Sequence, residues 1–355
     1  MLVVDADTHV DETEATWEHF EESKRAHRPR AVAAGEGVEA GAGVGGRHGL
    51  WLIDGQYRVR RYRSDKITGT TRETRELHDV DARLRDMDRL GVDVQVIYPT
   101  LCLSPHSSNP EVELALCQSY NRWLADRTAQ SKGRLRWVAV LPMLSIDRAV
   151  EELRFAVDHG ACGALKGGIE CGRPASDPYF FPIYEEASRL NVPICFHIGA
   201  GDRGMFDPSA NLKATSAVLT LHTISGFSAL IAEEVPEKFT NLRFGWIEAS
   251  ASWVPYMIHD LERRLKKEGI ADYDLKNVFR RNRFYVTCDT GDDLPHILNF
   301  GLEDSLMIGS DYTHGDPASE IDAVRRIDEK GQHGEISREI AHKIISDNPV
   351  RFYGI

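Results

Sequence analysis

Several features that mark other classes of protein are missing from this sequence. No apolar run approaches the roughly 20 residues that a membrane-spanning helix requires. The first ten residues, MLVVDADTHV, lack the basic segment of a signal peptide. The formal net charge is -12, whereas a protein that binds nucleic acid needs a basic face. We therefore expect neither a membrane nor a nucleic acid as a partner.

The cysteines are few and carry no metal or redox spacing. None of the six forms a Cys-x-x-Cys pair, and several stand in apolar stretches, where free cysteines are usually buried. Reduced thiols of this kind indicate the cytoplasm as the compartment. The 355 residues are 42% hydrophobic, which is enough for one large core.

The strongest pattern that is present is a series of short apolar runs, each followed by a helical pattern. Such runs are typical of parallel strands that are covered on both faces. Eight can be counted: Leu2–Val4, Val92–Tyr98, Leu135–Leu141, Gly163–Lys166, Val192–His197, Leu242–Glu248, Phe284–Asp289 and Leu306–Asp311. Eight strand–helix units predict an α/β fold, the (β/α)8 TIM barrel, as a single domain over residues 1–355.

The segments between the runs have the spacing of helices with one apolar face. From Leu77 to Leu90, apolar residues recur at i, i+3 and i+4, and Gly91 ends the stripe. A doubly wound open sheet is the alternative architecture. It requires a Gly-rich nucleotide-binding turn after its first strand, and this sequence has none there.

A long insertion follows the first strand. About sixty residues separate that strand from its helix, where a few residues are usual. Residues 35–46 are Gly-rich, and Asp54-Gly55 between apolar flanks predicts a hairpin within Leu50–Arg60. A second long stretch, Ala200 to Val218, follows strand five. Because long loops at this end of a barrel usually cover the active site, we expect residues 13–76 to form a cap over the barrel mouth.

Ionisable side chains stand at the ends of several predicted strands. Asp7 and His9 close strand one, His197 closes strand five and Asp311 closes strand eight. Residues i and i+2 of a strand point to the same side, so Asp7 and His9 can reach one ion. Carboxylates and imidazoles that converge on the barrel mouth predict a divalent-metal site.

Longer segments around these residues form a recognisable set: VVDADTHVDE, RLRDMDRLGVDVQVIYPT, PICFHIG, NLRFGWIEASASW, LMIGSDYTHGDP and DNPVRFYGI. The set resembles the amidohydrolase-related family that includes aminocarboxymuconate-semialdehyde decarboxylase and γ-resorcylate decarboxylase. The resemblance implies that Asp7 and His9 match the strand-one metal ligands, His197 the strand-five histidine and Asp311 the strand-eight aspartate. It also implies a homodimer.

One departure from the family pattern bears on the reaction. Strand six of the decarboxylases ends in a histidine within a His-Gly-Gly-Gly run, and this sequence has Glu248 there. A carboxylate can be a general base or a metal ligand, but it cannot donate a proton while it is ionised. Together with His222 and His314, Glu248 offers enough additional ligands for a second ion.

These observations predict an enzyme that acts on a small organic substrate with one or two divalent ions of zinc, manganese or iron. The ion would activate water and polarise a substrate oxygen. Hydrolysis is the leading expectation, with Asp311 or Glu248 as the base. Lys166, at the end of strand four, or an arginine of the insertion would hold a substrate anion. Lys166 could instead pair with Glu170.

Three alternatives remain open. Some proteins that resemble this family carry Fe/Fe or Mn/Fe pairs and hydroxylate their substrates with O2, and the surplus of ligands suits such a centre. Non-oxidative decarboxylation ranks below it because of Glu248. A non-catalytic binding barrel ranks last, because none of the expected metal ligands is missing.

Overall fold

Eight parallel strands form one sheet whose spatial order follows the chain. The computed structural model describes residues 1–32, 48–61, 63–104, 107–202, 212–270, 273–315 and 318–355. The strands are β1 (Val4–His9), β2 (Val94–Tyr98), β3 (Leu135–Ala139), β4 (Ala161–Lys166), β5 (Ile194–His197), β6 (Phe244–Ile247), β7 (Phe284–Cys288) and β8 (Leu306–Ile308). Each strand begins within two residues of the start of its predicted run. Strand β1 also extends past the end of its run, from Val4 to His9.

Hydrogen bonds between β1 and the segment that follows β8 bring the two edges of the sheet together into a barrel. The amide of His9 donates to the carbonyl of Tyr312 (2.9 Å), and the amide of Asp311 donates to the carbonyl of Asp7 (3.0 Å). Thr8 and Tyr312 also form a parallel bridge. The predicted TIM barrel is therefore confirmed.

One principal helix follows each strand. These helices are α1 (Val80–Leu90), α2 (Pro110–Thr128), α3 (Ile146–Asp158), α4 (Phe181–Arg189), α5 (Leu212–Ala232), α6 (Val254–Lys267), α7 (Leu294–Leu298) and α8 (Ala323–Gln332). The stripe ending at Gly91 corresponds to α1, and Gly91 caps that helix in the left-handed conformation (φ 70°). No helix within the described ranges is long and apolar enough to span a bilayer.

A last helix, α9 (Asn348–Tyr353), packs into the barrel from the end where the strands begin. Arg243, just before β6, donates from Nε to the carbonyl of Phe352 (2.8 Å). The Tyr353 hydroxyl donates to the carbonyl of Ala6 (2.6 Å) and lies 2.7 Å from the hydroxyl of Tyr98. The closing segment of the chain therefore contributes to the barrel core.

The insertion after β1 forms a small antiparallel sheet. Its strands are Arg30–Val32, His48–Ile53 and Gln56–Arg61, and short helices at Asp65–Thr68 and Arg72–Arg75 follow. The predicted hairpin is confirmed: Asp54 (φ 48°) and Gly55 (φ 74°) form the turn, with the two left-handed residues that such hairpins prefer. The Gly-rich residues 35–46 lie outside the described residues.

The second long stretch is shorter than predicted. Helix α5 begins at Leu212, whereas the sequence pattern extended the loop to Val218. Residues 203–211 of this stretch lie outside the described ranges. An apolar helix without an evident polar face gives no periodic signal for its first turn, which explains the error.

The buried Glu113 on α2 makes stability depend on pH. Burial raises the pKa of Glu113 to about 7, although its carboxylate accepts a hydrogen bond from the amide of Leu144 (2.8 Å). The folded state therefore holds the proton more tightly than the unfolded state. The stability associated with this proton is full below the unfolded pKa of 4.5 and is lost as the pH rises through 7.

We therefore expect Glu113→Gln to raise the Tm at pH 8 and to change it little at pH 4. Thermal unfolding at both pH values tests this. Glu111→Gln, at an exposed position of the same helix, is the matched control. Equal shifts at the two pH values would contradict the assignment.

Candidate metal centre

The carboxyl ends of four strands bring ionisable groups to one place in the barrel mouth. Strand β1 supplies Asp7 and His9, and β5 supplies His197, all three buried. Glu248 follows β6, and Asp311 stands three residues beyond the end of β8. The predicted convergence of strand-end residues is thus present in the fold.

The backbone has an uncommon conformation at the two carboxylate residues that follow β6 and β8. Glu248 (φ 55°) and Asp311 (φ 52°) both adopt the left-handed conformation, which is uncommon for residues with a side chain. Strand β1 also approaches the end of β8 very closely. A Cβ atom at Gly309 would lie 2.3 Å from the Cβ atom of Asp7, so only glycine fits there.

Both histidines present a lone pair to the centre. His9 Nδ1 lies 2.8 Å from the carbonyl oxygen of Pro99, and His197 Nδ1 lies 2.8 Å from that of Ile198. A carbonyl oxygen only accepts, so each Nδ1 carries the proton. With Nδ1 occupied by its proton, Nε2 is the ring nitrogen that can bind a metal, and both Nε2 atoms point into the cluster, as in metal-binding histidines.

Carboxylate oxygens surround these two nitrogens. His9 Nε2 lies 3.5 Å from Asp7 Oδ1 and 3.4 Å from both Glu248 Oε2 and Asp311 Oδ1. His197 Nε2 lies 3.4 Å from Asp7 Oδ1 and 3.3 Å from Glu248 Oε2. Lone pairs that face carboxylate oxygens repel one another unless a cation lies between them.

The spacing of these atoms fits such a cation. Ligands about 2.1 Å from a tetrahedral ion lie roughly 3.4 Å from one another, which matches the observed distances. His9 Nε2 is buried and has no hydrogen-bond partner among the described residues. Burial also lowers the pKa of His9 to about 3, which keeps the ring in the neutral form that binds metals.

The first group of ligands differs in one member from the predicted set. Asp7, His9, His197 and Glu248 have ligand atoms that all lie within 4.8 Å of one another. Asp311 belongs to a second, overlapping group with His9, Glu248 and His314. Within the first group, the member beside Asp7, His9 and His197 is Glu248, whose Oε2 lies 3.4 Å from His9 Nε2 and 3.3 Å from His197 Nε2.

His314 supports Asp311 in this structure. Its Nδ1 lies 2.6 Å from Asp311 Oδ1, and its Nε2 lies 3.0 Å from the Thr100 hydroxyl. Ser319 donates to the other oxygen of Asp311 (2.5 Å). These contacts hold the carboxylate beside His9 and connect it to groups outside the first ligand group.

Two predicted site residues, His222 and Lys166, lie outside both ligand groups of the described residues. His222 stands on α5, where the neighbouring Thr223 hydroxyl donates to the backbone carbonyl of His197 (3.3 Å). His222 belongs to neither ligand group of the described residues. The ammonium group of Lys166 lies 3.2 Å from Glu170 and 3.4 Å from the centre of the Phe180 ring. The pairing with Glu170 that the sequence left open is thus present.

The side-chain alternation of β4 explains the position of Lys166. Lys166 pairs in register with Phe196 of β5, whose ring faces Gly226 of the outer helix α5. Neighbouring residues of parallel strands point to the same face. Lys166 therefore points away from the barrel interior, and burial among the surrounding helices lowers its pKa.

Sequence reasoning missed Arg83 and Ser310, which support the site without belonging to either ligand group. Arg83 of α1 is fully buried and donates to the carbonyl of His9 (3.2 Å). The amide and hydroxyl of Ser310 donate to the buried Asp5 (2.8 and 2.6 Å), and burial raises the pKa of Asp5 to about 6. The only sequence signal for them is membership in the segments around the ligands.

The insertion and the loop after β8 enclose a cavity beside Asp311. Its volume is about 240 Å³, and its lining includes Lys66 and Thr68 of the insertion together with Asp311, His314 and Ser319. A cation from the insertion thus lies at the same cavity as the strand-eight carboxylate. This is the location expected of a cap over the barrel mouth.

A TIM barrel with two histidines and several carboxylates clustered at the carboxyl ends of its strands has the donor set of a divalent-metal site. The chain belongs to the amidohydrolase family, whose profile matches residues 4–355. The family resemblance predicted from the sequence is thereby confirmed.

Two curated relatives are decarboxylases by name. The chain is 28% identical over 120 residues to 2-amino-3-carboxymuconate-6-semialdehyde decarboxylase of Dictyostelium discoideum, covering 34% of this chain and 33% of that protein. It is 31% identical over 137 residues to γ-resorcylate decarboxylase of Rhodococcus jostii, covering 35% of this chain and 41% of that protein. The matched segments thus span less than half the length of either relative.

Solved structures share the fold over a larger part of the chain. An amidohydrolase from Mycobacterium avium subsp. paratuberculosis superposes with a TM-score of 0.78 at 17% identity, covering 100% of this chain and 98% of that one. A 5-carboxyvanillate decarboxylase from Novosphingobium aromaticivorans, complexed with manganese, gives a TM-score of 0.62 at 19% identity, covering 78% and 81%.

Proposed function

We propose that this protein is a divalent-metal-dependent, non-oxidative decarboxylase of a small carboxylic acid. The observation that carries the proposal is the position of Asp311. Its Oδ1 lies 3.4 Å from His9 Nε2, and the same residue lines the 240 Å³ cavity. A carboxyl group between a metal centre and a substrate-sized space is placed to exchange a proton with the substrate. The names of the two curated relatives agree with this reaction.

Asp7, His9, His197 and Glu248 would hold the cation. When bound, a divalent cation supplies a Lewis acid that offsets negative charge on the substrate. A histidine that binds a metal does so as a neutral ring, so the two carboxylates would balance the charge of a divalent ion. The mixed nitrogen and oxygen donor set suits manganese, iron or zinc.

Asp311 would supply the proton that decarboxylation consumes. In its protonated form it delivers the proton to the carbon that carries the carboxylate. The bond from that carbon to the carboxylate then breaks, its electron pair stays with the substrate, and CO2 leaves. Asp311 is left ionised, and His314, 2.6 Å away, is placed to return a proton to it.

With this assignment, the replacement of the family's strand-six histidine by Glu248 no longer argues against decarboxylation. An ionised Glu248 cannot donate a proton, and that fact placed decarboxylation below hydrolysis and oxygenation in the sequence analysis. With Asp311 as the donor, Glu248 has only to complete the ligand group. Lys66, which also lines the cavity, would pair with the substrate's negative charge.

We also propose one ion per chain. A second ion would need His314 as a ligand, but both of its ring nitrogens contact protein groups, Asp311 and Thr100. The O2-dependent hydroxylase alternative depends on two redox-active ions and is therefore disfavoured. Hydrolysis remains the second candidate, because Glu248 stands where a carboxylate could accept a proton from water.

Product analysis with manganese-loaded protein tests the proposal. 2,6-Dihydroxybenzoate, 5-carboxyvanillate and related unsaturated acids should release CO2, and in D2O the product should carry one deuterium at the carbon that lost it. Asp311→Asn should lower the rate by about 10²–10⁴-fold, the usual contribution of a general acid. Cleavage of esters, lactones or amides without CO2 release from any acid would overturn the proposal in favour of hydrolysis.

A further inference from the structure

The loop that carries Glu248 is held in an unfavourable backbone conformation. Glu248 (φ 55°) and Ser250 (φ 57°) are both left-handed although neither is glycine. Such a conformation costs of order 1–3 kcal/mol per residue and persists only where the surroundings enforce it. The conformation of this loop decides where the Glu248 carboxylate lies, because Glu248 is itself one of the two left-handed residues.

A single buried carboxylate organises this loop. Asp292, 7% exposed, accepts hydrogen bonds from the Ser250 hydroxyl (2.6 Å), the Ala251 amide (2.9 Å) and the Ser252 hydroxyl (2.5 Å). It also accepts one from the amide of Asp289 (2.9 Å), the residue that follows β7. Asp292 therefore connects the loop after β6 to the loop after β7.

Its bonding shows that Asp292 acts as a clamp rather than as a metal ligand. A carboxylate offers about four acceptor positions, and four donors occupy them. No acceptor capacity remains for a cation. Both oxygens instead face groups within four residues of Glu248.

We propose that Asp292 is a positioning residue that fixes the Glu248 carboxylate against His9 and His197. This inference rests on the proposed role of Glu248 as a metal ligand. Thr287 of β7 supplies the other support, because its hydroxyl accepts from the amide of Glu248 (2.8 Å). Without Asp292, the loop can relax toward negative φ, and the Glu248 carboxylate would leave its position 3.3 Å from His197 Nε2.

Manganese titration of two neighbouring variants tests the inference. In Asp292→Asn, the remaining oxygen can accept from the amides of Ala251 and Asp289, but the NH2 group faces the hydroxyls of Ser250 and Ser252, which must reverse. All four hydrogen bonds also lose the negative charge that strengthens them. We expect the Kd for Mn²⁺ to rise about 10-fold. Replacing a residue that only supports a metal ligand usually lowers metal affinity by about 10–100-fold, and this expectation is at the lower end of that range. Asp293→Asn is the matched control, since Asp293 only caps α7 by accepting from the amide of His296 (3.1 Å). It should lower the Tm of the metal-free protein and leave the Kd unchanged.

A double-mutant cycle separates positioning from general destabilisation. In a Glu248→Ala background, Asp292→Asn should change the Mn²⁺ affinity no further, because the group that it positions is gone. An unchanged Kd in Asp292→Asn, or the same loss with and without Glu248, would overturn the inference. If Asp292→Asn does not fold, Ser252→Ala removes one of the four bonds and should weaken Mn²⁺ binding in the same direction. An unchanged Kd there would overturn the inference equally.

The titration contains no substrate, so it is independent of the reaction. Failure to release CO2 would count against the proposed function and leave this inference intact. A wild-type protein that does not bind Mn²⁺ would overturn both.

Discussion

Replacing His197 by alanine should remove both metal binding and activity. The variant loses a ring whose Nε2 lies 3.3–3.4 Å from two carboxylates, so the ion would lose one of its two nitrogen ligands. Loss of a direct ligand should exceed the 10–100-fold effect that outer residues have on metal affinity, so we expect the Kd for Mn²⁺ to rise by more than about 100-fold. Metal content after dialysis and Mn²⁺ titration measure this.

His222→Ala is the control for the effect of His197→Ala. His222 was also predicted from the sequence to bind metal, but it lies on α5 and in neither ligand group. Its replacement should leave the metal content at the wild-type level. Equal metal loss in the two variants would contradict the arrangement of the site.

Replacing Gly309 by alanine should damage the fold and the metal site together. The new Cβ atom would lie 2.3 Å from the Cβ atom of Asp7 and 3.2 Å from its backbone nitrogen. Relief requires β1 to separate from the end of β8, which breaks the hydrogen bond from Asp311 N to Asp7 O (3.0 Å). We expect the free energy of unfolding to fall by about 1–3 kcal/mol, the usual cost of overpacking, and Mn²⁺ affinity to fall with it.

Urea unfolding and Mn²⁺ titration of Gly309→Ala provide the measurement. Gly291→Ala is the matched control, since no atom outside its chain neighbours lies within 4 Å of the added Cβ. Wild-type stability in Gly309→Ala would show that β1 and the end of β8 are not as close as the structure places them.

The sequence was informative wherever the local pattern determines the structure. Apolar runs predicted all eight strands, because parallel strands that are buried on both faces consist almost entirely of apolar residues. Asp54-Gly55 predicted the hairpin turn, since its two residues tolerate the left-handed conformation. The spacing of Asp7 and His9 predicted a shared face, which the barrel retains.

The rest depended on geometry that one-dimensional patterns do not contain. The direction of Lys166 follows from its register with Phe196, and register cannot be read from β4 alone. His222 follows His197 on the next helix, but it belongs to neither ligand group of the described residues. Glu248 and Asp311 both have a left-handed backbone, which residues with a side chain rarely adopt. The sequence therefore could not indicate that Glu248, and not Asp311, would lie in the group with Asp7, His9 and His197.

Anomalous diffraction from crystals grown with Mn²⁺ tests the central claim most directly. The account predicts one strong peak per chain, bounded by Nε2 of His9 and His197 and by the carboxylates of Asp7 and Glu248, with Asp311 on the side of the cavity. A second peak of equal height against His314 would contradict the one-ion centre. A peak away from both histidines would contradict the metal site itself.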